Sequence, residues 1–136
     1  MSGFVLDTSV IIAVLLREAD ADLFRRYLDE RISAAISTAT LHEAYCVSAR
    51  DNFPEGARQI DEFLSLVEPE ILAFDLAQLD AARLAYSRYG RGTGHAANLN
   101  MGDCFAYALA KTKQLPLLFK GDDFIHTDIE PALRPA

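Results

Sequence analysis

The chain has 136 residues, 51% of them hydrophobic and 24% charged, with 7 Gly and 5 Pro. That is ordinary globular usage, which excludes disordered, collagen-like and low-complexity proteins, and the length fits one domain over residues 1–136 with a core of its own. Thirteen Lys and Arg against 20 Asp and Glu leave a formal charge of −7, so any contact with nucleic acid must rest on local charge or bound cations.

Phe4-Val5-Leu6 is a short apolar run stopped by Asp7-Thr8-Ser9, which predicts a buried strand ending in a polar turn. Its lack of a basic start argues against a signal peptide, and the uncharged run Thr8 to Leu16 is too short to span a bilayer. A soluble, cytoplasmic chain is expected. Val10 to Leu16 predicts a short buried helix, and Ala19 to Arg31 an amphipathic one with Leu23, Phe24, Tyr27 and Leu28 at helical spacing. Ala34 to Ser37 is a second strand. Thr40-Leu41-His42-Glu43 fits a capping box opening a helix to about Asp51. Pro54 suits the first turn of the next helix, with Ile60, Phe63, Leu64 and Val67 on one face.

Glu70 to Phe74 is a third strand, and Leu76, Leu79, Ala82 and Tyr86 predict a helix through Tyr89. A Gly-rich loop, Gly90 to Asn100, precedes a helix from Met101 to Lys113 with Phe105, Ala108 and Leu109 inward. Leu117-Leu118-Phe119 is a fourth strand, and a last one is expected near Ile129. Apolar strands alternating with helices predict an α/β fold: a three-layer sandwich with a short central parallel sheet flanked by helices. Cys46 and Cys104 are too few for a disulfide framework and read as buried thiols.

In open parallel sheets, functional groups gather beyond the carboxyl ends of the strands. Asp7, Glu43, Asp103 and Asp122 or Asp123 all fall at such places. Each alone has a structural reading: Asp7 as a helix cap, Glu43 as part of the capping box, Asp103 in a first helical turn, Asp122-Asp123 as turn residues. Together they are costly, because two like charges ~4 Å apart repel by about 4 kcal/mol at an effective dielectric of ~20. Such a group must hold protons or bind a hard, oxygen-preferring cation, Mg²⁺ or Mn²⁺.

Val5-Leu6-Asp7-Thr8-Ser9, the helix-borne Glu43, the block Gly102-Asp103-Cys104-Phe105-Ala106-Tyr107-Ala108-Leu109-Ala110, and Leu118-Phe119-Lys120-Gly121-Asp122-Asp123-Phe124 followed by Thr127-Asp128 resemble a PIN domain of the VapC toxin type. The resemblance covers essentially the whole chain. It implies a Mg²⁺-dependent endoribonuclease that cleaves RNA, with Asp7 and Asp103 holding the ion and Glu43 helping directly or through water. Asp123 is the fourth acid by its G-x-D-F context, Asp122 a turn residue or helper. It also implies a VapB-like antitoxin partner and a homodimer. Two other classes stay open: a Mg²⁺-dependent phosphotransfer domain with Asp7 as nucleophile, and a non-catalytic binding module.

Thr8 and Ser9 are expected either to bond to the Asp7 site or to cap the following helix. Arg91 and Lys120 are candidates for RNA phosphates, with solvated surface cations as the alternative. His42, His95 and His126 are scattered and read as non-catalytic, and Phe124 as a core anchor for the last acidic turn.

Overall fold

The computed structural model describes residues 3–30, 33–50 and 53–133. Strand β1 (Phe4–Leu6) lies between β2 (Ala34–Ser37) and β4 (Leu117–Leu118), and β3 (Glu70–Leu72) forms the edge beyond β2. All neighbours pair in parallel, with Val5 opposite Ala35 on one side and Leu117 on the other. Phe4, Val5 and Leu6 are each 1% exposed or less, a continuous apolar run because helices cover both faces.

The period-2 alternation assigns each strand residue to a layer. Val5, Ala35 and Leu117 pack with α5 (Leu76–Tyr89) and α6 (Met101–Lys113). Phe4, Leu6, Ala34, Ile36 and Leu118 face the opposite cluster, built on α1 (Thr8–Leu15), α2 (Ala21–Glu30), α3 (Thr38–Ser48) and α4 (Ala57–Val67). The predicted three-layer α/β sandwich is the observed one. Burying each large side chain of β1 contributes about 2 kcal/mol, which helps to offset the cost of drawing in the aspartate at its end.

Several boundaries differ from expectation. Helix α3 starts at Thr38, capped by Ser37, whose hydroxyl accepts from the Thr40 N–H at 3.1 Å. Ser37 is the last residue of β2 as well as the cap, so the helix begins directly at the strand end and the Thr40–Glu43 box does not form. Helix α4 starts at Ala57 after Gly56 at φ +57°, leaving Pro54 in the preceding turn. The helix ends expected at Arg31 and Asp51 lie outside the described residues; α2 runs to Glu30 and α3 to Ser48.

In place of a strand near Ile129, a single bridge joins Leu117 to Pro131, because only the Leu117 N–H and C=O find partners there, at Glu130 and Ala132. Cys46 is exposed, on the solvent side of α3 beside His42; Cys104 is buried. Helix α5 turns Gln78, Ala82, Ala85 and Tyr89 inward, so Leu76, Leu79 and Tyr86 of its apolar stripe remain 73%, 42% and 42% exposed. Tyr107 of α6 donates to the Asp128 carboxylate at 2.6 Å and Lys111 pairs with the same group, which pins the segment after the acidic turn. Phe124 is buried against Phe119, as expected of an anchor. No helix among the described residues is long and apolar enough to cross a membrane.

Candidate functional site

Because every strand runs the same way, all their carboxyl ends open on one side of the sheet. Asp7 leaves the central strand there, 4% exposed, and caps α1. Both Ser9 donors converge on one of its oxygens, Oδ2: the backbone N–H at 3.0 Å and the hydroxyl. The Ser9 hydroxyl in turn accepts from the Lys120 N–H at 2.9 Å, which ties the segment after β4 to Asp7. Among the described residues, no hydrogen bond reaches Oδ1 of Asp7.

Glu43 reaches the same place from α3. Its Oε1 accepts from the Thr8 hydroxyl at 2.6 Å, so Thr8 serves Glu43 and Ser9 serves Asp7. The carboxylate lies directly against Gly102 in the first turn of α6, where an added Cβ would stand 1.5 Å from Oε2. Only glycine gives α3 and α6 this approach. Asp103, the next residue, shares a capping box with Asn100: its Oδ2 accepts from the Asn100 N–H at 2.9 Å, and the Asn100 side-chain oxygen accepts from the Asp103 N–H at 2.8 Å.

The electrostatics follow from burial and proximity. Desolvation pushes the Asp7 carboxyl up to about 7, with the charges of Asp103 and Glu43 adding to it and the Ser9 hydroxyl opposing it. Desolvation likewise raises Asp103 to about 6; the Asn100 N–H opposes this, Asp123 and Glu43 reinforce it, and the Arg91 guanidinium pulls the other way. Asp7, Glu43 and Asp103 therefore come within electrostatic reach of one another from three elements. Asp123 is exposed at the rim, near enough for its charge to act on Asp103; Asp122 beside it is exposed too.

The donor set is all oxygen, which suits a hard divalent cation, and the gap that Gly102 keeps open for Glu43 is one any larger residue would fill. Among the described residues, no three His, Cys, Asp or Glu side chains already stand as a group around one point for an ion. Holding one requires the carboxylates to close in.

The remaining candidates divide. Arg91 stands by Asp103, whereas Lys120 turns away to Glu18 and Asp20, at 2.6 and 3.3 Å. His42 contacts Cys46, His95 packs edge-on to Tyr89 and accepts from the Ala97 N–H, and His126 lies exposed in a short 3-10 turn, Phe124–His126. Two contributors escaped the reading of the sequence, Asn100 and Gly102. The N-x-x-D spacing before an apolar helix was the signal for the first. The second, a glycine inside a helix where it costs about 1 kcal/mol against alanine, marks a close approach.

Comparison with known proteins gives a consistent result. The profile of the family described as PIN domain matches residues 4–130. Ribonuclease VapC30 of Mycobacterium tuberculosis is 44% identical over 132 residues, covering 96% of this chain and 99% of that protein. Ribonuclease VapC of Mycolicibacterium smegmatis is 45% identical over 126 residues, 92% and 96% of the two chains. Among solved structures, the sarcin-ricin loop cleaving toxin VapC20 of M. tuberculosis superposes with a TM-score of 0.73 at 17% identity over 98% of this chain and 100% of that one. DNA-bound VapBC from Salmonella typhimurium gives 0.65 at 19%, over 96% of each chain.

Proposed function

The chain belongs to the PIN-domain family and, within it, to the VapC ribonucleases, and from that premise we propose that it is a metal-dependent endoribonuclease toxin hydrolysing RNA phosphodiester bonds. One observation supports this most directly: Asp7, Glu43 and Asp103, far apart in sequence, are brought together at the carboxyl end of the sheet with Gly102 making the room. A fold does not collect mutually repelling acids for stability.

Asp7 and Asp103 are the residues that would hold the cation, each with one oxygen already fixed by hydrogen bonds and one available. When bound, Mg²⁺, with Mn²⁺ as a substitute, activates water and neutralises charge gathering on the phosphoryl oxygens. Glu43, locked by Thr8, orients the attacking water and receives its proton. Asp123, on the exposed rim, completes the acidic set from the substrate side. Ser9 positions Asp7, and burial keeps Asp7 from ionising cheaply until a cation is present.

A VapB-like antitoxin is the partner this reading carries, its basic or apolar tail suiting an acidic cleft, and the active form is a homodimer. Incubating the chain freed of any partner with RNA, across a divalent-metal titration and in chelator, tests the proposal. Cleavage that needs the metal and disappears in Asp7→Asn is expected. Cleavage unaffected by chelator, or full activity in Asp7→Asn, overturns it.

A further inference from the structure

Outside the acidic cleft, a pair of side chains on α3 carries metal-ligating chemistry of a different kind. His42 and Cys46 stand on the solvent side of the helix, with the His42 Nε2 3.5 Å from the Cys46 Sγ. They are four residues apart, so one helical turn stacks them on the same face. Both are exposed, and neither side chain makes another polar contact among the described residues.

The helix beneath them is held in place. Leu41 and Ala44 are buried on its inner side, Ser37 caps its start, and Tyr45 donates to Asp61 of α4. The backbones of His42 and Cys46 therefore keep their spacing without help from a ligand, and a site on such an element needs little ordering.

The separation of the two donor atoms fits one coordination chemistry. Zinc bonds thiolate sulfur at about 2.3 Å and imidazole nitrogen at about 2.0–2.1 Å, and at the tetrahedral angle those bonds set sulfur and nitrogen about 3.5 Å apart. His42 and Cys46 already stand at that distance. Sulfur and ring nitrogen together select a borderline-soft ion, whereas a hard ion such as Mg²⁺ prefers the all-oxygen cleft. The net charge of −7 favours cations at the surface in general.

We propose that His42 and Cys46 form a two-residue chelate for Zn²⁺ or a similar borderline-soft divalent ion on the outer face of α3, with water in the two remaining tetrahedral positions. On binding, the Cys46 thiol releases its proton to solvent and Sγ bonds the ion, whose oxidation state does not change. His42 ligates through Nε2 and carries its proton on Nδ1. Glu43, next to His42 in the chain, is bonded to Thr8 and lies against Gly102, so the chelate draws nothing from the cleft. The site is independent of the ribonuclease reading.

Cobalt(II) is the probe, because a thiolate ligand gives it an intense charge-transfer band in the near ultraviolet that oxygen ligands do not. The full chain, kept reduced by a phosphine and with its cleft saturated with Mg²⁺, is titrated with cobalt. The band should grow to saturation and bleach when Zn²⁺ displaces the probe, since zinc binds such donors more tightly. Cys46→Ala should abolish the band. His42→Ala should weaken cobalt binding by about tenfold or more, the loss seen even for residues that only orient a ligand. Both replacements fall at exposed helical positions where alanine is favoured, and circular dichroism checks the fold. No band in the parent, a band that survives Cys46→Ala and so belongs to Cys104, or unchanged affinity in His42→Ala overturns the chelate. Cleavage of RNA with Mg²⁺ alone should be the same in the parent and both variants; a loss of cleavage would tie the pair to the cleft and overturn its independence.

Discussion

The carboxylate of Glu43 occupies the space where any residue other than glycine at position 102 would carry its Cβ; the Gly102 backbone and the Glu43 side chain are fitted to each other across α3 and α6. Gly102→Ala therefore gains about 1 kcal/mol of helix propensity but forces the flexible end of Glu43 aside, breaking its bond to Thr8. We expect a melting temperature close to the parent's and a kcat/KM lower by about 100-fold, the scale on which a ~1 Å misplacement acts. Steady-state cleavage and calorimetry on the same preparation check both.

Stability without metal should depend on pH with a definite sign. Asp7 and Asp103 are raised in the fold from 3.8 to about 7 and about 6, so the folded chain binds protons that the unfolded chain has released. Stability is then greatest near or below pH 3.8 as far as these two groups are concerned, and falls as pH rises to about 7. Added Mg²⁺ binds the ionised acids and restores stability most at the alkaline end, releasing protons. Melts across pH with chelator and with Mg²⁺ measure this; a metal-free stability that rises through the same window contradicts it.

Asp7→Asn separates chemistry from folding. The amide oxygen still accepts from the two Ser9 donors, while the buried charge is gone. Cleavage should fall by about 1000-fold or more, as for loss of a ligand to an essential ion. In chelator above pH 7, where Asp7 ionises, the variant should melt higher than the parent, with the difference vanishing toward acid. Asp103→Asn should be inactive as well. Paired activity assays and melts decide.

Ser9 should reveal itself in the pH profile. Its hydroxyl is the largest influence holding Asp7 down against desolvation, and Lys120 fixes its orientation. Ser9→Ala should move the acid limb of the kcat/KM profile to higher pH while leaving the alkaline plateau closer to the parent's. A uniform loss at all pH values, with no shift of the limb, would show that Ser9 acts by packing alone.

Much of this arrangement is written locally in the sequence. Phe4-Val5-Leu6 and Leu117-Leu118 are buried strands because they are uninterrupted apolar runs, and the acids after them had to lie at the sheet's carboxyl edge. The errors came where a local pattern competed with a tertiary one. Thr40-x-x-Glu43 satisfies a capping motif, but Ser37 takes the cap and frees Glu43 for Thr8, a partner 35 residues away that no local pattern announces. The stripe Leu76, Leu79 and Tyr86 looked like a core face, yet α5 turns Gln78, Ala82, Ala85 and Tyr89 inward, the two alanines letting it lie close to α6 and the Tyr89 ring meeting Tyr107. Gly102 was visible as a residue, and its meaning needed the helix that approaches it.

The reciprocal bonds between Asn100 and Asp103 make one acid serve two masters, nucleating a helix and equipping the cleft. Asp123 has no such second duty: it is exposed and its side chain caps nothing. Spontaneous inactivation of the proposed toxin thus has unequal routes. On the catalytic roles proposed above, loss of Asp103 by a nonpolar exchange would sacrifice abundance together with catalysis, whereas loss of Asp123 would cost catalysis alone and leave a folded decoy that still occupies whatever protein restrains the active form.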